Sequence, residues 1–416
     1  MDFKFLHAAD LHLDSPLRGL EADPEAPVEV IRSATRRALG RMVDLALSEQ
    51  VAFVIIAGDI YDGDWPDFGT GMFFAAQMRR LHTADIPVFA IRGNHDAANR
   101  MTRSLRMPDV TIFDHKHAHT IRSLEALGVA LHGQSFAEPA VPNDLSRDYP
   151  APIPGLFNIG ILHTSAAGYS GHETYAPCDV NRLRSHGYDY WALGHIHSFE
   201  ILSRDPYVVF PGNLQGRHIG ETGPKGACIV SVQDGQVSAV EHHPLDVLRW
   251  ANLTIDLSAA TDEADALART QTAMDAALQA VAPLPLALRL SLIGATAAHT
   301  ALASSGLREK ILHEAHALPD GARLWLEAVR LQTRPAADLA SLRQRADHLG
   351  QLLAEIDALV ATPEPDLLGD WPATMWGKLR DGLPDPHALQ AASTGDIADL
   401  LQRARATLEA ALAEQG

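Results

Sequence analysis

Five short pieces of this sequence combine residue types that bind metal ions. They are Asp10-Leu11-His12, Gly58-Asp59, Gly93-Asn94-His95-Asp96, His163, and Gly194-His195-Ile196-His197. An aspartate and a histidine two apart, at the end of a strand, can both bend toward one ion. Mixed carboxylate, imidazole and amide-oxygen donors suit manganese, iron or zinc better than calcium. A single carboxylate between two ions can bridge them, and Asp59 is the candidate. Two cations about 3.5–4 Å apart clamp a phosphate and deprotonate a water at neutral pH. Each piece alone has a plainer explanation, a helix-capping aspartate or a hydrogen-bonded structural histidine. All five together, each just after an apolar run, point to a cage of Asp10, His12, Asp59, Asn94, His163, His195 and His197.

The elements that must position these residues can be read from hydrophobic patterning. Apolar runs at Phe3–Ala9, Val51–Ala57, Ile86–Ile91, Phe157–Leu162 and Tyr188–Leu193 predict strands that end at the five pieces. Val28–Glu49 has helical periodicity through Val30, Ile31, Ala34, Ala38, Met42, Leu45 and Ala46, and Gly71–Thr83 also predicts a helix. Glycines at 58, 93 and 194 are expected to permit tight strand-to-loop turns. Chemical residues at strand ends are the arrangement of a layered α/β protein. After about residue 245 the ligand motifs stop. Strand, helix, strand, helix and strand at Trp250–Leu257, Thr261–Val281, Leu286–Ile293, Thr300–Ala317 and Ala322–Thr333 predict a small α/β domain. Beyond Pro335 apolar stripes at roughly heptad spacing, Leu339 to Leu359 and Ile397 to Leu412, predict helices broken by prolines. The expected division is therefore 1–245, 246–334 and 335–416.

Bulk properties set limits. At 416 residues and 46% apolar content, the chain should fold into two or three packed domains. No apolar stretch reaches the roughly 18–20 residues of a membrane span. The catalytic motif follows so soon after Met1 that no signal peptide is expected, which suggests a cytoplasmic protein. The two cysteines, Cys178 and Cys228, imply neither a disulfide framework nor a thiolate zinc site. A net charge of −18 argues against a surface coated for phosphate binding, although bound cations or a partner can supply local attraction.

The motifs are also recognisable. The sequence resembles the calcineurin-like metallophosphoesterases and, within them, the SbcD/YhaO-type DNA repair exonucleases. His7-Ala8-Ala9-Asp10-Leu11-His12-Leu13-Asp14, Gly58-Asp59-Ile60-Tyr61-Asp62 and Phe210-Pro211-Gly212-Asn213-Leu214-Gln215-Gly216-Arg217 carry the likeness, which spans about residues 1–245. It implies an α/β fold in which a two-sheet sandwich is flanked by helices, with a small α/β cap domain and a helical C-terminal tail. It implies that Asp10, His12, Asp59 and His197 hold one divalent ion, and Asp59, Asn94, His163 and His195 a second, manganese by preference. His95 would be a non-ligand that stabilises the transition state or protonates the leaving oxygen, and Asp96 would orient it. Some family members carry histidine where Asp62 stands. Implied partners are DNA, a coiled-coil SMC-like ATPase subunit and a second copy of the chain, with no membrane.

Other residues stay open between a functional and a plain role. Alternating His115, His117 and His119 could bind a cation or be a solvated face, and His7 is expected to pack within the first strand. Arg18, Arg92, Arg100, Arg217 and His218 could contact phosphate or serve solubility and structure. The leading functional reading is a manganese-dependent DNA exonuclease in DNA repair. The alternatives are a small-molecule phosphodiesterase or phosphoprotein phosphatase, and a scaffold subunit with a vestigial cage.

Overall fold

The computed structural model describes residues 1–15, 27–62, 69–98, 109–166, 176–304 and 306–336, with Gln351, Ala354, Asp357 and Ala358. The heptad-like stripes beyond Pro335, and Arg18 and Arg100, lie outside the described residues.

Short runs of β-branched and aromatic residues form β1 (Phe3–Ala8), β2 (Phe53–Ala57) and β3 (Val88–Ile91). They pair in parallel, with β4 (Thr111–Ile112) parallel to β3. The hairpin of β11 (Gly226–Gln233) and β12 (Gln236–Pro244) completes this sheet, β11 running antiparallel to β1. The second sheet contains β5 (His119–Ile121), β6 (Val129–Gly133), β7 (Phe157–His163), β8 (Tyr190–Gly194), β9 (Glu200–Arg204) and β10 (Tyr207–Phe210). Its strand order is β5-β6-β7-β8-β10-β9, and β6, β7, β8 and β10 are mutually parallel.

The central strands of both sheets are buried on both faces, which is why they read as continuous apolar runs. Successive side chains still point to opposite sides. Phe53, Ile55 and Ala57 enter one core while Val54 and Ile56 enter another. The first of these is the core between the sheets, where Phe5 and Phe53 from the first meet Ile159, Ile161 and Tyr190 from the second. On the outer face of the first sheet pack α1 (Val28–Ser48) and α2 (Gly69–Thr83), α1 burying Ile31, Ala34, Ala38, Met42 and Ala46 from its predicted stripe. The loop after β3 begins the short α3 (Asn94–Ala98). The outer core of the second sheet gathers Leu162, Trp191, Leu193 and Phe210 with Leu183 of α4 (Val180–Ser185).

This is the expected two-sheet fold flanked by helices. Sequence patterning does not mark β4, β5, β9 and β12. The physical reason is plain: β4 and β5 are two and three residues long, and β9 and β12 are half-exposed, with polar residues interleaved. In the remainder, a third sheet has the order of β13 (Arg249–Asp256), β14 (Leu286–Thr296) and β15 (Leu324–Pro335). α5 is Glu263–Ala280. The helix expected over Thr300–Ala317 is two pieces, α6 (His299–Leu302) and α7 (Leu307–His316), because Gly306 takes a left-handed φ of 91° between them.

Cα proximity divides the chain into two units. The first is Met1–Leu253 with Ala277–Arg289 and Asp320–Ala328. Within it Trp250, Leu248, Ala287 and Trp325 close a small core on Ile31, and Trp250 Nε1 donates to the Gly216 carbonyl at 2.9 Å. The second is Thr254–Ala276, Leu290–Pro319 and Val329–Gly416. Within it Lys310 Nζ meets Glu263 Oε1 at 2.5 Å, and Thr296 Oγ1 donates to the Ala260 carbonyl at 3.0 Å. Among the described residues no helix is long and apolar enough to cross a membrane.

Candidate metal centre

Because β1, β2 and β3 are parallel, their C-terminal ends share one edge of the first sheet, and β7 and β8 do the same in the second. The loops beyond these ends carry Asp10 and His12, Asp59, Asn94 and His95, His163, and His195 and His197. Pairing continues past the strands: Asp10 N–H donates to the Gly58 carbonyl at 3.0 Å and His12 N–H to the Asp59 carbonyl at 3.1 Å. The turn that follows is sharp. Asp10, His12 and Asp59 hold φ of 51°, 43° and 51°, and His195 104°. Such left-handed backbone is costly for residues with a Cβ and persists only where the surroundings over-determine it.

The glycines serve two different purposes. Gly58 has φ of 99° and fulfils the expected turn. Gly93 and Gly194 are needed for room instead. A Cβ at Gly194 would lie 2.0 Å from the Ala57 carbonyl oxygen, and one at Gly93 2.3 Å from Asp59 Oδ1.

Three groups of donor atoms converge within 4.8 Å; two share Asp10, which stands with His12 and His197 and again with Asp59 and His163, and the third is His12 with Asp62 and His95. Asp59 Oδ2 lies 4.0 Å from His12 Nε2 and 3.4 Å from His163 Nε2, so it faces both Asp10 groups. Asn94 Oδ1 joins the second group, 3.0 Å from His163 Nε2. His195 is tied in by its main-chain N–H on the Asp10 carboxylate at 2.9 Å and by its ring, edge-on to His163 with centroids 5.3 Å apart.

The histidine tautomers decide what these groups can hold. His163 Nδ1 donates to the Ala57 carbonyl at 2.9 Å, which leaves the Nε2 lone pair directed at Asp59 and Asn94 oxygens. His197 Nδ1 donates to Glu221 Oε1 at 2.8 Å, which leaves its Nε2 lone pair facing His12 Nε2 at 3.1 Å. Each of these contacts needs a proton or a cation between its two atoms. The converging oxygen and imidazole donors fit divalent cations.

Protons can supply the balancing charge at these contacts as well. Burial penalises the charge of Asp59, yet the adjoining His163 and His95 hold its carboxyl below the usual range. Burial opposes charge on His163 too, but Asp59 and Asp10 raise it to about 9. Burial pushes Asp10 up and His12 well down.

His95 stands beside the two Asp10 groups with 40% of its side chain exposed, its ring edge-on to His12. Its orienting partner is Asp62, whose Oδ1 is 2.8 Å from His95 Nδ1. Asp96, expected in that role, is placed differently. Its buried carboxylate accepts main-chain N–H groups of Ile60, Tyr61 and Gly93 at 3.1–3.2 Å. Asp96 points inward beneath the loop because α3 turns it away from the ring it follows in sequence. Burial, with the charge of Asp59, raises its carboxyl to about 7. The place held by histidine in some family members is therefore occupied by the carboxylate that braces His95.

Glu221 was not anticipated and is central. It receives His197 Nδ1, Asn213 Nδ2 and the Arg217 guanidinium. Its only sequence signal is its position four residues after Arg217. His218 faces the same carboxylate at 3.4 Å. The main-chain N–H of Arg92 donates to Ser135 Oγ at 3.0 Å. His7 is buried between the sheets, bonded to Tyr190 Oη and the Leu193 carbonyl. His115, His117 and His119 belong to no convergent ligand group among the described residues.

Comparison with known proteins agrees with this geometry. Residues 3–199 match the calcineurin-like phosphoesterase family, and residues 250–334 match the middle domain of metallophosphoesterase YhaO. The chain is 35% identical over 263 residues to the uncharacterized metallophosphoesterase YhaO of Bacillus subtilis, covering 62% of this chain and 64% of that protein. It is 24% identical over 208 residues to the DNA double-strand break repair protein Mre11 of Saccharolobus solfataricus, covering 49% and 51%. The protein of that name from Sulfurisphaera tokodaii is 21% identical over 277 residues, covering 62% and 67%. The chain thus spans less than two thirds of the length of the first two relatives. A dimetal phosphatase from Danio rerio aligns with a TM-score of 0.36 at 13% identity, over 56% of this chain and 93% of that one. The chain thus carries a calcineurin-like phosphoesterase domain over residues 3–199, followed over residues 250–334 by a segment similar to the middle domain of YhaO.

Proposed function

We propose that the chain is a manganese-dependent DNA exonuclease acting in DNA repair, with a coiled-coil ATPase as its partner. The observation that carries the hydrolytic part is the convergence of Asp10, His12 and His197 with Asp59, His163 and Asn94 at strand ends, with His95 beside them. The choice of DNA is supported by the likeness to two proteins named for DNA double-strand break repair. In this reading residues 1–245 are the nuclease domain, 246–334 the cap, and 335–416 the segment that docks on the partner.

Bound cations would neutralise the phosphate and acidify the attacking water. The protein's own part is positional. Asp10, His12, Asp59, Asn94, His163, His195 and His197 would hold the cations, with the rings of His163 and His197 fixed by the Ala57 carbonyl and Glu221. His95, with Nδ1 on Asp62, presents its other edge to the leaving oxygen and delivers a proton there.

End-labelled single- and double-stranded DNA, incubated with purified protein and manganese, tests this. We expect shortening from the ends, and His95→Ala slower by at least about 100-fold. Equal degradation by wild type and variant would sink the assignment. A second reading, a small-molecule phosphodiesterase or phosphoprotein phosphatase, is favoured by the net charge of −18. Rapid cyclic-nucleotide hydrolysis without DNA cleavage would select it.

A further inference from the structure

We propose that Arg217 is a positioning residue of the metal centre: one guanidinium grips two carboxylates, Asp62 and Glu221, and through them sets the His95 ring and the His197 ring in one frame. The inference rests on the phosphoesterase reading above and adds a residue to it.

The bonds form an unbroken chain. Arg217 Nη1 donates to Asp62 Oδ2 at 2.9 Å, and the other oxygen of Asp62 meets His95 Nδ1 at 2.8 Å. Arg217 Nη2 and Nε donate to Glu221 Oε1 at 2.7 and 3.2 Å, and that oxygen also receives His197 Nδ1 at 2.8 Å. The main-chain N–H of Arg217 reaches Glu221 Oε2 at 2.8 Å, so the residue holds this carboxylate with backbone and side chain together. Only 15% of the Arg217 side chain is exposed, and its Nε, Nη1 and Nη2 are all committed to carboxylates. It is therefore braced within the protein, not extended toward a substrate phosphate.

The chemistry of the side chain explains the choice of residue. A planar guanidinium carries five N–H donors in a rigid fork and can serve two carboxylates in fixed directions, whereas an ammonium is a point charge. Without the shared cation, Asp62 and Glu221 lose their common anchor. His95 then loses its orientation, and His197 loses the partner that fixes its Nε2 lone pair toward the cations. One residue thus links the proton donor to a cation ligand across the site.

The test uses the full chain with Arg217→Met, Arg217→Lys, Asp62→Asn and Glu221→Gln. Manganese affinity is read by competition with a fluorescent chelator. Turnover is read on bis(p-nitrophenyl) phosphate, which has a good leaving group, and on a dinucleotide, which has a poor one. For Arg217→Met we expect manganese affinity to fall about 10–100-fold, as for other losses behind a ligand. We expect kcat to fall at least about tenfold more on the dinucleotide, where a misplaced proton donor is felt. Adding Asp62→Asn to Arg217→Met should cost less than about threefold further, because both break one network. Arg217→Lys should not restore either property.

Unchanged manganese affinity with a raised KM alone would overturn the proposal and make Arg217 a substrate contact. Fully additive losses would overturn it as well. If Arg217→Met fails to fold, the near-isosteric variants divide the question: Glu221→Gln must lose manganese affinity, and Asp62→Asn must show the leaving-group effect. A wild-type chain that turns over no phosphodiester would refute the functional reading instead, while manganese binding still decides whether Arg217 sets His197.

Discussion

Asp96 and Asp62 are both aspartates near His95, yet they do different work. Asp62 meets the imidazole, while Asp96 is buried and binds main-chain N–H groups of two loops, that after β2 and that after β3. Removing it leaves buried donors unpaired, each costing about 1–3 kcal/mol. Asp96→Ala should therefore lose about 2–4 kcal/mol of folding stability in urea unfolding with chelator present, some of the donors finding water. A loss under about 1 kcal/mol would show that these bonds do not hold the loops together. Asp62→Asn should cost less stability than Asp96→Ala, because the near-isosteric amide oxygen can still accept from Arg217.

Among the elements, β1 and β8 belong to different sheets and carry Asp10 and His195 at their ends. His7 on β1 joins them. Its Nε2–H donates to the Leu193 carbonyl at 3.1 Å and its Nδ1 accepts from Tyr190 Oη at 3.0 Å. That neutral tautomer is fully satisfied, and burial lowers its pKa from 6.5 to about 3. The unfolded chain binds this proton below about pH 6.5 and the folded chain does not. Stability from His7 is thus present above the unfolded pKa and is lost as pH falls from about 6.5 toward 3. The slope approaches about 1.4 kcal/mol per pH unit for one proton. Denaturant unfolding at pH 7 and pH 5 should show a shallower loss in His7→Gln than in wild type. Equal slopes would mean that His7 takes up its proton without unfolding.

For the whole molecule, the centre joins two sheets whose edges both carry buried charge. Asp10 and Asp59 are each 1% exposed, and the charge between them is balanced only when cations or protons are present. A ligand that binds only the folded chain stabilises it by mass action, about 2.7 kcal/mol at one hundred times its dissociation constant. Manganese should raise the melting temperature and chelator should lower it. Asp59→Asn should abolish the difference. A melting temperature indifferent to manganese in the wild type would argue that the donor groups do not hold it.

The sequence by itself determined the strand-end positions and the residue types that follow them. Apolar runs such as Val51–Ala57 mark their own ends, and Asp59 or His195 is visible just beyond because local pattern and chemistry coincide there. It also marked α1, whose buried stripe follows from periodicity alone. The tertiary structure decided the partners. Glu221 meets His197 across 24 residues, and Asp62 meets Arg217 across 155. Nothing in local patterning encodes such pairings, since an aspartate or glutamate in a loop looks the same whether it faces solvent or a ligand. For the same reason Asp96, next to His95 in sequence, was expected to brace it, and the turn of α3 gave that position to Asp62 instead.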